Sequence, residues 1–247
     1  MADTIEGDGV RCRLEGAVAT VTLSRPERHN AFDGVMLDAL GQALSRLEAD
    51  EACRVVLIRG EGPSFCAGWD ISAFSQMAAL GEKDLRSAFA RNAAVTDQIS
   101  SSDRIVVTAV HGACMGFGVG LVARSDISLA ASSARFAMPE LSHGVVPGMV
   151  LGDALECLGR RIAMDWVFSR DVWSAEQARA NGLVQRTCAD EDLEAELQSL
   201  CARLASLAPH AVAATKTLAR SYDNDAAYET RAIAASAASI LSLSNRN

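Results

Sequence analysis

Short apolar runs and helical stripes follow one another along the first part of the chain. The runs are bounded by Gly, Pro or charged residues, which is typical of strands. They are VRCRLE, AVATVTL, VVLIRG, IVVTAV, DISLAA and ARFAM. The segments GVMLDALGQALSRLEAD and 85–101 instead place apolar residues three or four positions apart, which predicts amphipathic helices. The repeated order strand–strand–helix predicts an α/β core.

From Met149 onward nearly every segment has the pattern of a helix. In SAEQARANG, Ser174 is placed to cap the start of one helix and a glycine follows its end. The alanine-rich segment after Ala226 is too small-sided to make a core alone, so we expect it to pack closely against another subunit or within the chain. This division predicts a core at 1–185 that carries the site, and a helical C-terminal region at 186–247 with a role in oligomerisation.

Composition narrows the class of protein. The chain has 247 residues, 49% of them hydrophobic and 22% charged, which is typical of a large globular domain. A net charge of −8 argues against nucleic acid and anionic membranes as partners. The cysteines lie apart, without a CxxC pair, and histidines are few, so no metal site is expected. The sequence shows no apolar leader and no run of membrane length, and we therefore expect a cytoplasmic protein.

Two segments place small residues where a strand gives way to a helix. They are SFCAGWDISAF, residues 64–74, and HGACMGFGVG, residues 111–120. The first N–H groups of a helix have no intrahelical acceptor, and the helix dipole favours negative charge there. Two such turns that converge on one point would form an oxyanion hole. Each turn alone is also compatible with tight packing, and Asp70 with a simple helix cap.

A third segment, ARFAMPELSHGVVPG at 134–148, carries a carboxylate. Glu140 follows Pro139 among the apolar side chains of Phe136, Met138 and Leu141. In isolation this arrangement is also compatible with a surface turn. An apolar surrounding would raise the pKa of the Glu140 carboxyl and suit it to general acid–base catalysis.

In this order, the three segments resemble the enoyl-CoA hydratase/isomerase, or crotonase, superfamily. The resemblance begins at LSRPERHNAF, includes the three segments above, and continues through WSAEQARANGLV. It implies a spiral of strand–strand–helix repeats with a helical C-terminal region, assembled as a homotrimer or a hexamer. It also implies that the substrate is an acyl-CoA thioester whose enolate is stabilised, with no cofactor beyond the coenzyme A of the substrate.

The resemblance assigns roles position by position. The oxyanion donors would be the backbone N–H groups of Trp69 and Phe117, although both side chains are larger than those usual there and could narrow the acyl pocket or point into the core. Ala67 would lie beside the adenine, and Arg25 and Arg28 near the phosphates, with a solvated loop as the alternative for the arginines. The expected substrate-binding set is completed by Gly68, Asp70 and Gly116.

The hydratases of this superfamily use two glutamates, and this chain, by its resemblance to them, has a glutamate at only one of the two places. Glu140 is present, whereas the place of the other glutamate is Gly120. One base is enough to carry a proton from the α-carbon to the γ-carbon, so the leading hypothesis is Δ3-to-Δ2 enoyl-CoA isomerisation. The aryl-CoA dehalogenases of the superfamily use an aspartate at the place of Gly148, which argues against that reaction.

Other functions stay open at the level of sequence. One is hydration of a 2-enoyl-CoA with a different second acid or base, for which His143 is the polar candidate. Decarboxylation or hydrolysis of an acyl-CoA is another, and a catalytically silent protein that binds the thioester is the third. The chain also stops at ILSLSNRN, where many relatives continue, so we expect a pocket that is more open or is closed by a neighbouring subunit.

Overall fold

Ten strands form two sheets in the part of the chain that the computed structural model describes, namely residues 4–70, 72 and 82–222. The strands are β1 (Thr4–Gly7), β2 (Val10–Glu15), β3 (Val18–Leu23), β4 (Val55–Gly60), β5 (Ile105–Val110), β6 (Ala113–Met115), β7 (Ile127–Ala131), β8 (Arg135–Ala137), β9 (Trp173–Ser174) and β10 (Arg186–Cys188). The larger sheet has the order β1-β2-β3-β4-β5-β7-β10, and the smaller has the order β6-β8-β9.

Eight α-helices cover these sheets within the described residues. They are α1 (Gly34–Ala49), α2 (Glu82–Ser101), α3 (Phe117–Arg124), α4 (Gly148–Leu158), α5 (Arg160–Ser169), α6 (Ala175–Ala180), α7 (Leu193–Ala205) and α8 (Pro209–Arg220). The predicted cap of α6 is confirmed, because the Ser174 side chain accepts from the Gln177 N–H and the Gln177 side chain accepts from the Ser174 N–H. Such reciprocal bonds satisfy backbone groups at the start of a helix.

The larger sheet is antiparallel at one end and parallel over the rest. β1, β2 and β3 pair as a meander, and from β3 onward each neighbour runs parallel. Its central strands are buried on both faces. In β4, Val56 and Ile58 belong to the main core, while Val55 and Leu57 belong to a second core that includes Leu197 of α7. Continuous apolar strands are typical of such a covered parallel sheet.

The chain passes repeatedly from the larger sheet to the smaller one and then into a helix. β5 leads into β6 and α3, and β7 leads into β8, a 3-10 turn and α4. After β4 the chain pairs with the smaller sheet through a parallel bridge between Cys66 and Cys114. These turns confirm the expected α/β spiral of strand–strand–helix repeats.

The C-terminal region begins with a strand before it becomes helical. β10 pairs in parallel with β7, so residues just beyond the predicted division at 185 belong to the larger sheet, and α7 and α8 follow. The predicted polar stretch between Ser72 and Lys83 and the alanine-rich segment after Ala226 lie wholly or largely outside the described residues. Among the helices that are described, none is both long and apolar enough to cross a membrane.

Candidate active site

The two small-residue turns lie side by side. The Cys66 N–H donates to the Ala113 carbonyl at 3.0 Å, and the Met115 N–H donates to the Cys66 carbonyl at 2.8 Å. Between these segments Gly68 has a positive φ of 92°. A Cβ atom at this position would lie 3.1 Å from the Met115 carbonyl oxygen and 3.8 Å from the Phe117 nitrogen. Glycine therefore lets the first turn approach the start of α3 closely.

Backbone pairing orients the N–H group of Trp69. The Phe32 N–H donates to the Gly68 carbonyl at 2.7 Å, and the Asp70 N–H donates to the Phe32 carbonyl at 2.8 Å. These bonds use the peptide groups on either side of Trp69, so its own N–H points away from Phe32. The Phe117 N–H is the first of α3 and has no preceding helical turn. Within the described residues neither N–H meets an acceptor.

The aromatic side chains beside these donors pack together. Phe117 is only 4% exposed, and its ring centroid lies 4.7 Å from that of Phe32 in an edge-to-face contact. Trp69 is half-buried, with its ring centroid 5.6 Å from that of Phe117. Of the two alternatives that the sequence left open, the Phe117 side chain therefore points into the core, and Trp69 packs beside it.

Glu140 reaches the same place from the smaller sheet. β8 ends at Ala137, whose carbonyl accepts the Gly116 N–H at 2.9 Å, and Glu140 opens the 3-10 turn that follows Pro139. A Cβ atom at Gly116 would lie only 2.6 Å from Glu140 Oε1. Glu140 Oε2 is buried and has no hydrogen-bond partner among the described residues. Burial raises the pKa of this carboxyl, although its own backbone and His143 oppose the shift.

The predicted coenzyme A residues are held in a network of their own. Arg25 Nη1 lies 2.9 Å from Asp33 Oδ2, and its Nη2 lies 3.5 Å from Asp70 Oδ2. Asp70 Oδ1 accepts from the Ser72 N–H at 3.0 Å, as a capping residue does. Arg28 is exposed, and Ala67 is half-buried. Contact between these residues and coenzyme A stays a prediction.

One carboxylate near the site was missed from the sequence. Asp153 of α4 is 8% exposed, and its Oδ2 lies 3.1 Å from where a Cβ atom of Gly120 would be. Its Oδ1 accepts from Arg124 Nε at 2.9 Å. Burial raises the pKa of the Asp153 carboxyl from 3.8 to about 6, although Arg124 opposes the shift. By contrast, the sequence candidate His143 is exposed.

The described residues hold no group of three or more His, Cys, Asp or Glu side chains that could bind a metal ion. All seven cysteines are free. Cys66 and Cys114, whose backbones form the parallel bridge beside the glycine turns, are buried. Burial raises the pKa of both thiols. Neutral thiols are poor nucleophiles and poor metal ligands, so we find no support for cysteine chemistry here.

Comparison with known proteins identifies the family. The family model described as enoyl-CoA hydratase/isomerase matches residues 13–241. The chain belongs to the enoyl-CoA hydratase/isomerase family. It is 33% identical to a carnitinyl-CoA dehydratase from Salmonella enteritidis PT4 over 209 residues, which span 83% of this chain and 77% of that protein.

Solved structures of enoyl-CoA hydratase/isomerase relatives have the same fold. An enoyl-CoA hydratase from Mycobacterium smegmatis superimposes with a TM-score of 0.89 at 30% identity, covering 94% of this chain and 91% of that one. A Thermobifida fusca protein solved in complex with acetoacetyl-CoA gives 0.83 at 28% identity, covering 95% and 96%. These matches confirm the crotonase fold and place the chain among acyl-CoA enzymes. These three relatives are described as hydratases or as a dehydratase, so their names do not favour isomerisation over hydration.

Proposed function

We propose that this protein converts Δ3-enoyl-CoA thioesters into Δ2-enoyl-CoA thioesters, with Glu140 as the base that moves the proton. The observation that carries the proposal is the contact of Glu140 Oε1 with the Gly116 turn, 2.6 Å from where a Cβ atom would be. This turn also presents the Phe117 N–H at the start of α3. A base and an oxyanion donor are therefore supplied to the same small space.

The thioester carbonyl oxygen would accept from the Trp69 and Phe117 N–H groups. Such donors stabilise the negative charge that develops on oxygen when a proton leaves the neighbouring carbon. We assign Ala67, Arg25 and Arg28 to the coenzyme A portion because their segments resemble those of the superfamily, of which one structure holds acetoacetyl-CoA. A trimeric or hexameric assembly, and the use of no other cofactor, are parts of the same proposal.

The reaction needs one proton transfer in each direction. The Glu140 carboxylate removes a proton from the α-carbon, and the electron pair of that C–H bond moves toward the carbonyl oxygen to give a dienolate. Protonated Glu140 then returns the proton to the γ-carbon, and the double bond becomes conjugated with the thioester. A carboxyl whose pKa is raised by burial holds the proton between these steps better than an exposed one.

The test is the absorbance of the conjugated thioester after a 3-enoyl-CoA is mixed with the protein. We expect a rise with the wild type and, with Glu140→Gln, a rate lower by about 1000-fold, within the range for loss of a general base. Glu156→Gln is the matched control, because Glu156 is an exposed carboxylate of α4.

Two results would contradict the proposal. One is Glu140→Gln with the activity of the wild type, and the other is wild-type protein that does not consume the 3-enoyl-CoA. Binding of the acyl-CoA without turnover would then favour the silent thioester-binding protein.

A further inference from the structure

The space beside Gly120 is occupied by a carboxylate from another helix. Asp153 Oδ2 lies 3.1 Å from the Cβ position of Gly120, and the Val150 Cγ2 methyl group lies 3.7 Å from the same point. Gly120 itself has no side chain, so this polar oxygen and the neighbouring methyl group are what a substituent at 120 would meet. Position 120 on α3 carries no carboxyl group, and Asp153 on α4 places one beside it.

Asp153 and Glu140 approach the same end of one helix. Their contact points, Gly120 and Gly116, are one helical turn apart and are joined by the Gly120 N–H to Gly116 carbonyl bond of 3.3 Å. Residues four apart in an α-helix have Cα atoms separated by about 6 Å. Two carboxyl groups thus contact consecutive points at the beginning of α3, where the predicted oxyanion donor Phe117 also lies.

An ion pair with the half-buried Arg124 fixes the orientation of Asp153. Arg124, one turn beyond Gly120 on α3, donates from Nε to Asp153 Oδ1 at 2.9 Å and also pairs with Asp97 of α2. The arginine takes one oxygen of the Asp153 carboxyl, and the other oxygen faces Gly120. A group held in this way is pre-organised to accept a proton at Oδ2.

We propose that Asp153 is the second acid–base group of this site and that it enables water to add to the conjugated thioester. The 2-enoyl-CoA formed by the proposed isomerisation would be the substrate of this step. The order of the two reactions therefore rests on the proposed function. Hydration does not require isomerisation for its own chemistry, because a 2-enoyl-CoA can be supplied directly.

The step balances with the two carboxyl groups alone. The oxygen of a water molecule forms a bond to the β-carbon while Asp153 Oδ2 accepts one proton of that water. The electron pair of the double bond moves toward the carbonyl oxygen to give an enolate, and Glu140, in its protonated form, then donates a proton to the α-carbon. Return of the proton from Asp153 to Glu140 through solvent restores both groups.

The experiment compares the two reactions in one protein. The loss of a 3-enoyl-CoA, followed by product analysis, reports isomerisation, and the decay in absorbance of a 2-enoyl-CoA reports hydration. We expect Asp153→Asn to lower hydration by about 100-fold, as loss of a general base does, and to leave isomerisation within about threefold. Asp165→Asn, which removes an exposed carboxylate of α5, should leave both rates unchanged.

A second variant addresses the same oxygen without altering Asp153. Gly120 has helical backbone angles, so Gly120→Ala is compatible with the fold, and the added methyl group would displace Oδ2 by a few tenths of an ångström. We expect hydration to fall by about tenfold and isomerisation to persist.

Each outcome decides between the two proposals. Wild-type protein that isomerises without hydrating, or Asp153→Asn that hydrates at the wild-type rate, would overturn the role of Asp153 and leave the isomerase intact. An equal fall of both rates in Asp153→Asn would show a structural role only, and would also overturn the inference. Hydration without isomerisation would overturn the proposed isomerase and retain Asp153.

Discussion

Two of the three glycines at the start of α3, Gly116 and Gly120, leave room for a carboxyl group, but for different physical reasons. Gly116 has a φ of +48°, which disfavours any L side chain, and Glu140 Oε1 lies 2.6 Å from its Cβ position. Gly120 has an ordinary helical backbone, and the closest atom to its Cβ position, Asp153 Oδ2, lies at 3.1 Å. The backbone conformation therefore requires glycine at position 116. At position 120 the backbone would accept a side chain, so a carboxylate could come from either α3 or α4.

Substitution at the required glycine should have the largest effect. We expect Gly116→Ala to lower isomerisation and hydration together by about 1000-fold, because a methyl group there displaces Glu140 and strains the turn that presents the Phe117 N–H. Rates with a 3-enoyl-CoA and a 2-enoyl-CoA measure the effect, and the paired comparison is Gly120→Ala, which we expect to lower hydration alone. If Gly116→Ala kept either activity, the close contact with Glu140 would not matter for catalysis.

Moving the carboxylate from one helix to the other tests the choice at Gly120. In the double variant Gly120→Glu/Asp153→Asn, α3 carries the acid in place of α4. We expect hydration to recover by about tenfold or more relative to Asp153→Asn alone, since a carboxylate is again available at the same place. The decay of a 2-enoyl-CoA measures the recovery. A double variant no better than Asp153→Asn would mean that the position of Asp153, held by Arg124, cannot be reproduced from α3.

The raised pKa of Asp153 gives a smaller effect on stability, and its direction follows from linkage. The folded state holds this proton more tightly than the unfolded chain, so the stabilisation is complete below about pH 4 and is lost as the pH rises through about 6. Asn at 153 cannot titrate. The free energy of unfolding of the wild type should therefore fall by about 2 kcal/mol relative to Asp153→Asn between about pH 4 and about pH 7.

Denaturant unfolding of the two proteins across this pH range provides the measurement. The charged groups around Asp153 are Arg124, which lowers its pKa, and Glu156 and Asp97, which raise it, all with smaller effects than burial. A stability difference that did not change with pH would show that Asp153 is not desolvated in solution.

Prediction from sequence succeeded where several residues act in a local pattern. The helical stripe of α1 and the apolar run of β5 are long enough to show their period, and both elements are observed. The strands β6, β9 and β10 have two or three residues each, and no periodicity can be detected over so short a length. They are formed because neighbouring strands pair with them.

The candidate site divides in the same way. The small-residue turns and Glu140 lie within ordered motifs, and the structure brings these segments together, although their catalytic roles remain predictions. The contact of Asp153 with Gly120 depends on how α3 packs against α4, which no local pattern encodes. One signal was available: Asp153 is an acidic residue in a helical stripe whose other members, Val150, Ala154 and Leu158, are buried.

The packing of the tryptophans has an optical consequence. Trp166 and Trp173 are buried and stacked on each other, with ring centroids 3.9 Å apart. Trp69, the third of the three in the chain, is half-buried against Phe117. A change in intrinsic fluorescence when a ligand binds would therefore come from Trp69, whose backbone N–H group is a proposed oxyanion donor. The stacked pair would contribute a constant background, so the chain carries its own reporter at the position where the thioester should bind.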